Sequence, residues 1–375
     1  MHLENIVKSK GKKKILALDG GGIKGIITIE ILAKMEKELR VKENDPNLIL
    51  SDYFDLVAGT STGALIAALI CMGKSTDEIR DFYIENGNSM FHRASWLTKI
   101  GSKFGYIYND KKLAQKLQEV VGETTTLGSD KLKTLLLIVM HNAKTDSPWP
   151  VSNNPQAKYN ELVTNGKESN LHLPLWQLLR ASTAAPIYFP PEEINISGEP
   201  FIFLDGGITP YNNPAFQAYI MSTLEQYNLN WNKGEENILL VSVGTGITTL
   251  IQPFLQLSQM NFFHQATKTI SHVLNAVEYQ QDMLCRVFGK CLVGHELDSE
   301  IGDLVNKEKS KEKKEFTYLR YNAQLDEKGL AKLNLSHLNP EDLKKLDAVD
   351  KIHLLQEVGK AVARDEFCIE HFEGF

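Results

Sequence analysis

Apolar runs that stop at glycine alternate with segments whose apolar positions recur at helical spacing. "KKKILALDGGG" predicts a short buried strand over 15–18 that breaks at the glycines. "IKGIITIEILAKMEKELR" predicts a helix with one apolar and one charged face. A polar linker containing Pro46 comes next. "YFDLVAGTSTG" predicts a second apolar strand that ends in a tight glycine turn. "ALIAALICMG" predicts a helix apolar almost all round, which has to be buried. Gly73 is placed to cap it, and "KSTDEIRDFYIE" opens another helix. "LKTLLLIVM", "FIFLDGG" and "NILLVSVGTG" predict three more strands. "TDSPWPVSNNPQ" reads as a loop, and "PLWQLLRASTAAPIYFPP" as a short helix ending at Pro186. Strands alternating with helices imply βαβ units, hence an α/β fold around a mainly parallel sheet.

The pattern changes after residue 250, where helical spacing dominates, as in "FFHQATKTISHVLNAVEYQQDMLCRVF". "NKEKSKEKKE" (306–315) is a mixed-charge run, read as a solvated loop or helix face, and the end from about 339 reads as two small helices. Domains commonly run about 100–200 residues, so this length fits one large domain or two unequal ones. The expected division is a core over 15–215 and a continuation over 216–375. The continuation adds one further core strand near 238–243 and is then mostly helical, with a regulatory role open to it.

The 375 residues carry 41 Lys plus Arg against 47 Asp plus Glu, a net charge of −6, which argues against nucleic acid as a partner. The four cysteines form no CxxC pair and no cluster with zinc spacing, so no metal is expected and reduced thiols in a cytosol are. The basic start "MHLENIVKSKGKKK" has no long apolar stretch behind it and makes a poor signal peptide. No apolar run approaches the ~20 residues that cross a bilayer. A cytoplasmic protein that meets membranes only from their surface is the expectation. The candidate for that contact is the aromatic and basic stretch 90–108, with Phe91, Trp96 and Phe104. A partly buried helix-loop region is the equal alternative.

"GTSTG" (59–63) fits G-x-S-x-G between a strand and a helix, the setting of a nucleophile elbow at Ser61. A serine needs a base. Nine histidines come after Ser61: His92, His141, His172, His264, His272, His295, His337, His353 and His371; none sits at an obvious strand end beside glycine. Asp205 does, directly after "FIFL" and before Gly206 and Gly207, where it can take the serine proton or merely make an Asp-Gly turn. "GGGIKG" fits two chemistries. Gly20, Gly21, Gly22 and Gly25 can present N–H groups to an oxyanion. They also fit the G-x-G-x-x-G of a dinucleotide loop, but Glu43 and Asp45 fall in the linker rather than at a strand end. Lys24 precedes Gly25 rather than following it, so no G-x-x-x-x-G-K-[ST] phosphate loop exists here.

Together "DGGGIKG" (19–25), "GTSTG" (59–63) and "DGG" (205–207), with "ASTAAPIYFPP" (181–191) and "NNPA" (212–215), resemble the patatin-like phospholipase family over roughly 15–250. The resemblance implies a three-layer α/β/α fold, to which the helical pattern beyond 250 adds a C-terminal extension. It implies a Ser61–Asp205 dyad without histidine, an oxyanion hole at Gly20, Gly21, Gly22 and Gly25, and calcium-independent hydrolysis of phospholipid or lysophospholipid esters without a cofactor. Lys24 stands where many members have Arg; it keeps the charge for an anion contact but loses the forked geometry. "FTYLRYNAQLD" (316–326) resembles a segment of bacterial members, some of which are cyclic-nucleotide-activated effectors of antiphage defence. A cyclic dinucleotide is therefore a candidate activator, and a homo-oligomer is left open. Two rivals stand beside this reading: a Ser-His-Asp esterase for small soluble esters, and a non-catalytic regulator that binds nucleotide through GGGIKG.

Overall fold

The apolar runs become the centre of one sheet in the computed structural model, which describes residues 2–90, 110–161, 168–186, 188–247, 262–306, 313–346 and 349–375. The strands are β1 Lys13–Leu18, β2 Leu56–Thr60, β3 Leu135–Asn142, β4 Ser147–Ser152, β5 Glu192–Ile196, β6 Glu199–Asp205, β7 Ile238–Val243, β8 Lys290–Val293 and β9 Thr317–Tyr321. Their order is β5-β6-β3-β2-β1-β7-β9-β8, with β4 also paired to β3. From β3 to β8 every neighbouring pair is parallel. β4 and β6 run antiparallel to β3, and β5 antiparallel to β6.

Side chains alternate across the sheet, so its two faces bury different residues. Leu16, Leu18, Val57, Ile138, Val241 and Leu319 share one core with helices α1 Gly25–Lys42, α2 Thr62–Cys71 and α7 Ile352–Asp365. Ile15, Ala17, Leu56, Leu137, Leu240 and Tyr318 form the other, against α5 Ala215–Thr223 and Cys285 of α6 Phe262–Phe288. Two further helices frame the site: α3 Thr76–Met90 and α4 Leu175–Ser182. The result is helix, sheet, helix: a three-layer α/β/α arrangement with a mostly parallel sheet, as the alternating pattern implied.

Two regions differ from the sequence expectation. The loop expected at "TDSPWPVSNNPQ" contains β4. Pro148 and Pro150 hide it, yet proline is tolerated on an edge strand, and β4 pairs only with β3 among the described residues. The continuation expected to be mostly helical beyond 243 also supplies β8 and β9 to the sheet. β8 is short, and β9, "TYLRY", carries a charge in its middle.

That charge is Arg320, 1 % exposed, and it reaches past β7 to the end of β1. Its guanidinium donates to both oxygens of Asp19, at 3.0 and 2.6 Å, and to Ser242 Oγ at 2.8 Å and Glu278 Oε1 at 2.9 Å. Asp19 is equally buried and precedes the glycine loop. Removing one partner of such a pair strands the other charge in the core. Arg320→Met is therefore expected to cost about 3–5 kcal/mol of stability, read as a lower urea midpoint; a midpoint equal to wild type would show that the pair does not anchor β1 to β9.

Candidate active site

Three strand ends meet at one rim. In register, Leu18 pairs with Gly59 of β2 and with Val243 of β7, so the chain leaves all three strands side by side. After β1 it enters the glycine loop, after β2 the Ser61 turn, and after β7 the Gly244–Thr245–Gly246 turn. This is the edge where open α/β sheets place their ligands.

Ser61 sits between β2 and α2 at φ 54° and ψ −123°, a conformation that side chains disfavour. The turn is possible because its flanking residues have no side chains. A Cβ on Gly59 would lie 2.2 Å from the Gly63 carbonyl oxygen, and one on Gly63 would lie 2.3 Å from that of Leu18. The Ser61 N–H donates to Ser182 Oγ at 2.9 Å, and that hydroxyl donates to the Val139 carbonyl at 2.6 Å. The elbow is thus tied to α4 and to β3.

Asp205 comes to Ser61 through β3. β2 pairs with β3 up to Thr60↔Val139, and on the same edge β6, running the other way, ends at Asp205↔Met140. The last residues of β2 and β6 therefore oppose consecutive residues of β3. The Ser61 hydroxyl donates to Asp205 Oδ2 at 2.7 Å, while Oδ1 accepts the Gly207 N–H at 2.6 Å. Burial raises the Asp205 carboxyl to about 6, against the pull of the Gly207 and Ser61 hydrogen bonds and of the Arg180 charge. A carboxylate near 6 is ionised at neutral pH and is a stronger base than an ordinary aspartate.

The glycine loop lies beside the serine: a Cβ on Gly20 would be 3.2 Å from Ser61 Cβ. Not all four glycines offer a donor. The Gly20 N–H goes to the Asn212 carbonyl at 3.1 Å, and that of Gly25 to the carbonyls of Gly22 and Ile23. The N–H groups of Gly21 and Gly22 have no acceptor among the described residues. The loop carbonyls are taken up behind them. Thr245 Oγ1 donates to Gly20 O at 2.9 Å, the Lys24 N–H to Gly21 O at 3.2 Å, and the Tyr83 hydroxyl to Gly22 O. Tyr83 also bonds the Thr62 hydroxyl at 2.5 Å, joining the loop to the start of α2.

Lys24, expected as an anion contact, points inward. It is 8 % exposed and its ammonium donates to the Gly246 carbonyl at 3.2 Å. Burial pushes its pKa down, against the attraction of Glu278 and Asp19. Phe91, Trp96 and Phe104 lie outside the described residues, as does His92. Of the other histidines, His295 bonds the Asn322 carbonyl, His371 the Tyr321 hydroxyl, and His141 and His337 pair with Asp146 and Glu357. None of these four bonds Ser61. Sequence reasoning missed Ser182, Tyr83, Arg320 and Thr245. Ser182 and Arg320 lay in 181–191 and 316–326, which were read only for their resemblance, and Thr245 carried a local signal, a glycine-flanked residue after an apolar strand.

A family model described as patatin-like phospholipase matches residues 16–219, more than half of the chain. Patatin-1-Kuras 2 of Solanum tuberosum is 32% identical over 256 residues, 63% of this chain and 63% of the relative. Patatin group J-1 of Solanum tuberosum is 32% identical over 249 residues, 62% of this chain and 60% of the relative. The chain thus spans about three fifths of the length of these curated relatives. Among solved structures, VipD from Legionella pneumophila aligns over 92% of this chain and 66% of its own, at 14% identity and a TM-score of 0.37, too low to bear on fold or function.

The raised Asp205 pKa fixes two signs. Any reaction that uses this carboxylate as its base gains kcat/KM as pH rises through about 6 and then levels off. Because the folded-state value lies above the ordinary 3.8, the fold binds more protons than the unfolded chain between the two, and this group withdraws stability as pH rises through that window. Asp205→Asn is therefore expected to melt no lower than wild type at pH 8 in thermal denaturation. A variant that melts well below wild type would contradict this reading of the buried carboxyl.

Proposed function

Because the chain belongs to the patatin-like phospholipase family, we propose that it is a serine-dependent lipid acyl hydrolase that cleaves carboxylic esters of phospholipids or lysophospholipids. The observation that carries this reading is the 2.7 Å hydrogen bond from an elbow serine to a buried carboxylate. Asp205 Oδ2 takes the Ser61 proton as Oγ bonds to the ester carbonyl carbon. The carbonyl π electrons move to oxygen, which the Gly21 and Gly22 N–H groups face. Collapse of the tetrahedral intermediate breaks the bond to the alcohol, which leaves with the proton from Asp205. Water then adds to the acyl carbon as Asp205 takes its proton, and collapse of this second tetrahedral intermediate breaks the bond to Oγ, releasing the fatty acid as the proton returns from Asp205 to Ser61. Each oxyanion donor is worth about 2.7–4 kcal/mol of barrier in related chemistry.

Calcium-independence belongs to the same proposal, since every proton in this scheme passes between Ser61, Asp205, the alcohol and water. Peripheral contact with the bilayer is part of it as well, since phospholipid esters are presented at a bilayer surface. Cyclic-nucleotide activation and a part in antiviral defence rest on the resemblance of 316–326. Those residues are β9 and its exit, and all but Gln324 and Asp326 are buried, with Asp326 capping the next helix. They support the glycine loop from inside the sheet. Hydrolysis unchanged by cyclic dinucleotides would remove that activation.

The rivals part from this reading in one experiment. A fluorophosphonate probe is expected to label wild type and leave Ser61→Ala unlabelled. Phospholipid vesicles treated with wild type in chelator are expected to yield free fatty acid and lysophospholipid. A triad esterase would label but spare vesicles and lose activity on replacement of a histidine; a nucleotide-binding regulator would not label at all.

A further inference from the structure

We infer that Thr245 is a positioning residue of the oxyanion hole, its hydroxyl orienting and polarising the Gly21 N–H. This rests on the hydrolase reading above and names a residue it did not require. The Gly20 carbonyl and the Gly21 N–H belong to one peptide unit, and across a planar trans peptide they point opposite ways. Thr245 Oγ1 donates to that carbonyl at 2.9 Å from the far side of the loop. The bond fixes the direction of the Gly21 N–H, which has no acceptor of its own among the described residues. It also draws electron density toward the carbonyl oxygen, strengthening the donor at the other end by about 10–30%, the gain of chained hydrogen bonds.

The contact is built rather than incidental. Thr245 is 4 % exposed, and its Oγ1 would lie 2.1 Å from a Cβ on Gly21, so only glycine admits this approach. The turn that carries Thr245 is held at both neighbours. The Gly244 N–H donates to Tyr321 O at 2.8 Å, and Thr28 Oγ1 donates to Gly244 O at 2.9 Å. The Gly246 N–H donates to Asn322 Oδ1 at 2.8 Å, and Lys24 Nζ donates to Gly246 O at 3.2 Å. The inward lysine thereby acquires a role: it steadies the turn that aims Thr245. Gly22, by contrast, is oriented by a backbone bond, Lys24 N–H to Gly21 O. Thr245 is thus the side chain through which one donor can be altered without touching Ser61, Asp205 or the loop itself.

The test compares Thr245→Val, which keeps the shape and loses the donor, with Thr245→Ser, which keeps the donor. Loss of a whole oxyanion donor costs about 10²–10³ in kcat, and here the N–H remains but is misdirected, so valine is expected to lower kcat by about tenfold or more. KM stays put, because the carbonyl in the ground state bears little charge. Affinity for a trifluoromethyl ketone, which adds to Ser61 as a charged hemiketal, falls by the same factor. The pH midpoint near 6 does not move, because the hydroxyl does not touch Asp205. Serine restores most of kcat and of ketone affinity. Unchanged kcat in a folded valine variant overturns the proposal, and so does a loss that serine fails to restore, which would mark a packing role. If valine does not fold, alanine removes the same hydroxyl with less bulk and is read the same way. Wild type that neither hydrolyses ester nor binds the ketone would bring down the hydrolase reading and this proposal together; active wild type with an indifferent Thr245 brings down this proposal alone.

Discussion

The Ser61–Asp205 hydrogen bond depends on where two strands stop. β2 and β6 approach each other along one edge of β3 and end against Val139 and Met140, so the residues that leave them have to meet. Side chains from strands far apart in the chain are brought within bonding distance by backbone ladders, which hold position better than a loop could. Everything else at the site is arranged around that junction. β1 and β7 end at the same rim and deliver the glycine loop and the turn carrying Thr245.

The junction works against stability in two ways. Ser61 is held at positive φ, which costs a residue with a side chain about 1–3 kcal/mol. Asp205 is buried, and burial disfavours its charge; the Gly207 and Ser61 bonds and the nearby Arg180 offset this in part. The surrounding layers over-determine both. Helix α2 is apolar beyond Thr62, and every residue of it is buried. Arg320 ties the far side of the sheet to the residue before the glycine loop. A carboxyl raised toward neutrality and a serine at positive φ come from the same enclosure, so the proposed mechanism and its cost have one cause.

Ser61, Asp205 and the glycine loop were legible in the sequence because each is a break in an apolar run, and a strand that stops at glycine has to expose its next residues. β4 was not, because Pro148 and Pro150 contradict a strand unless it is known to lie at an edge. Arg320 was not, because a charge in a short apolar run reads as an exposed position until its partner appears, and Asp19 lies 301 positions away. Lys24 was legible as a charge but not as a direction. Beside glycines at a strand end it reads as a lure for anions; only the turn after β7, placed by the sheet, gives its ammonium a carbonyl to hold.

The central claim is that Asp205 alone serves as the base for Ser61. Intact-protein and peptide mass spectrometry after rapid mixing with a slowly deacylating ester tests it most directly. Wild type should gain one acyl group on Ser61 within a turnover, and Asp205→Asn should gain none on that timescale. Acylation of another residue, or acylation of Ser61 in Asp205→Asn at the wild-type rate, would contradict the account.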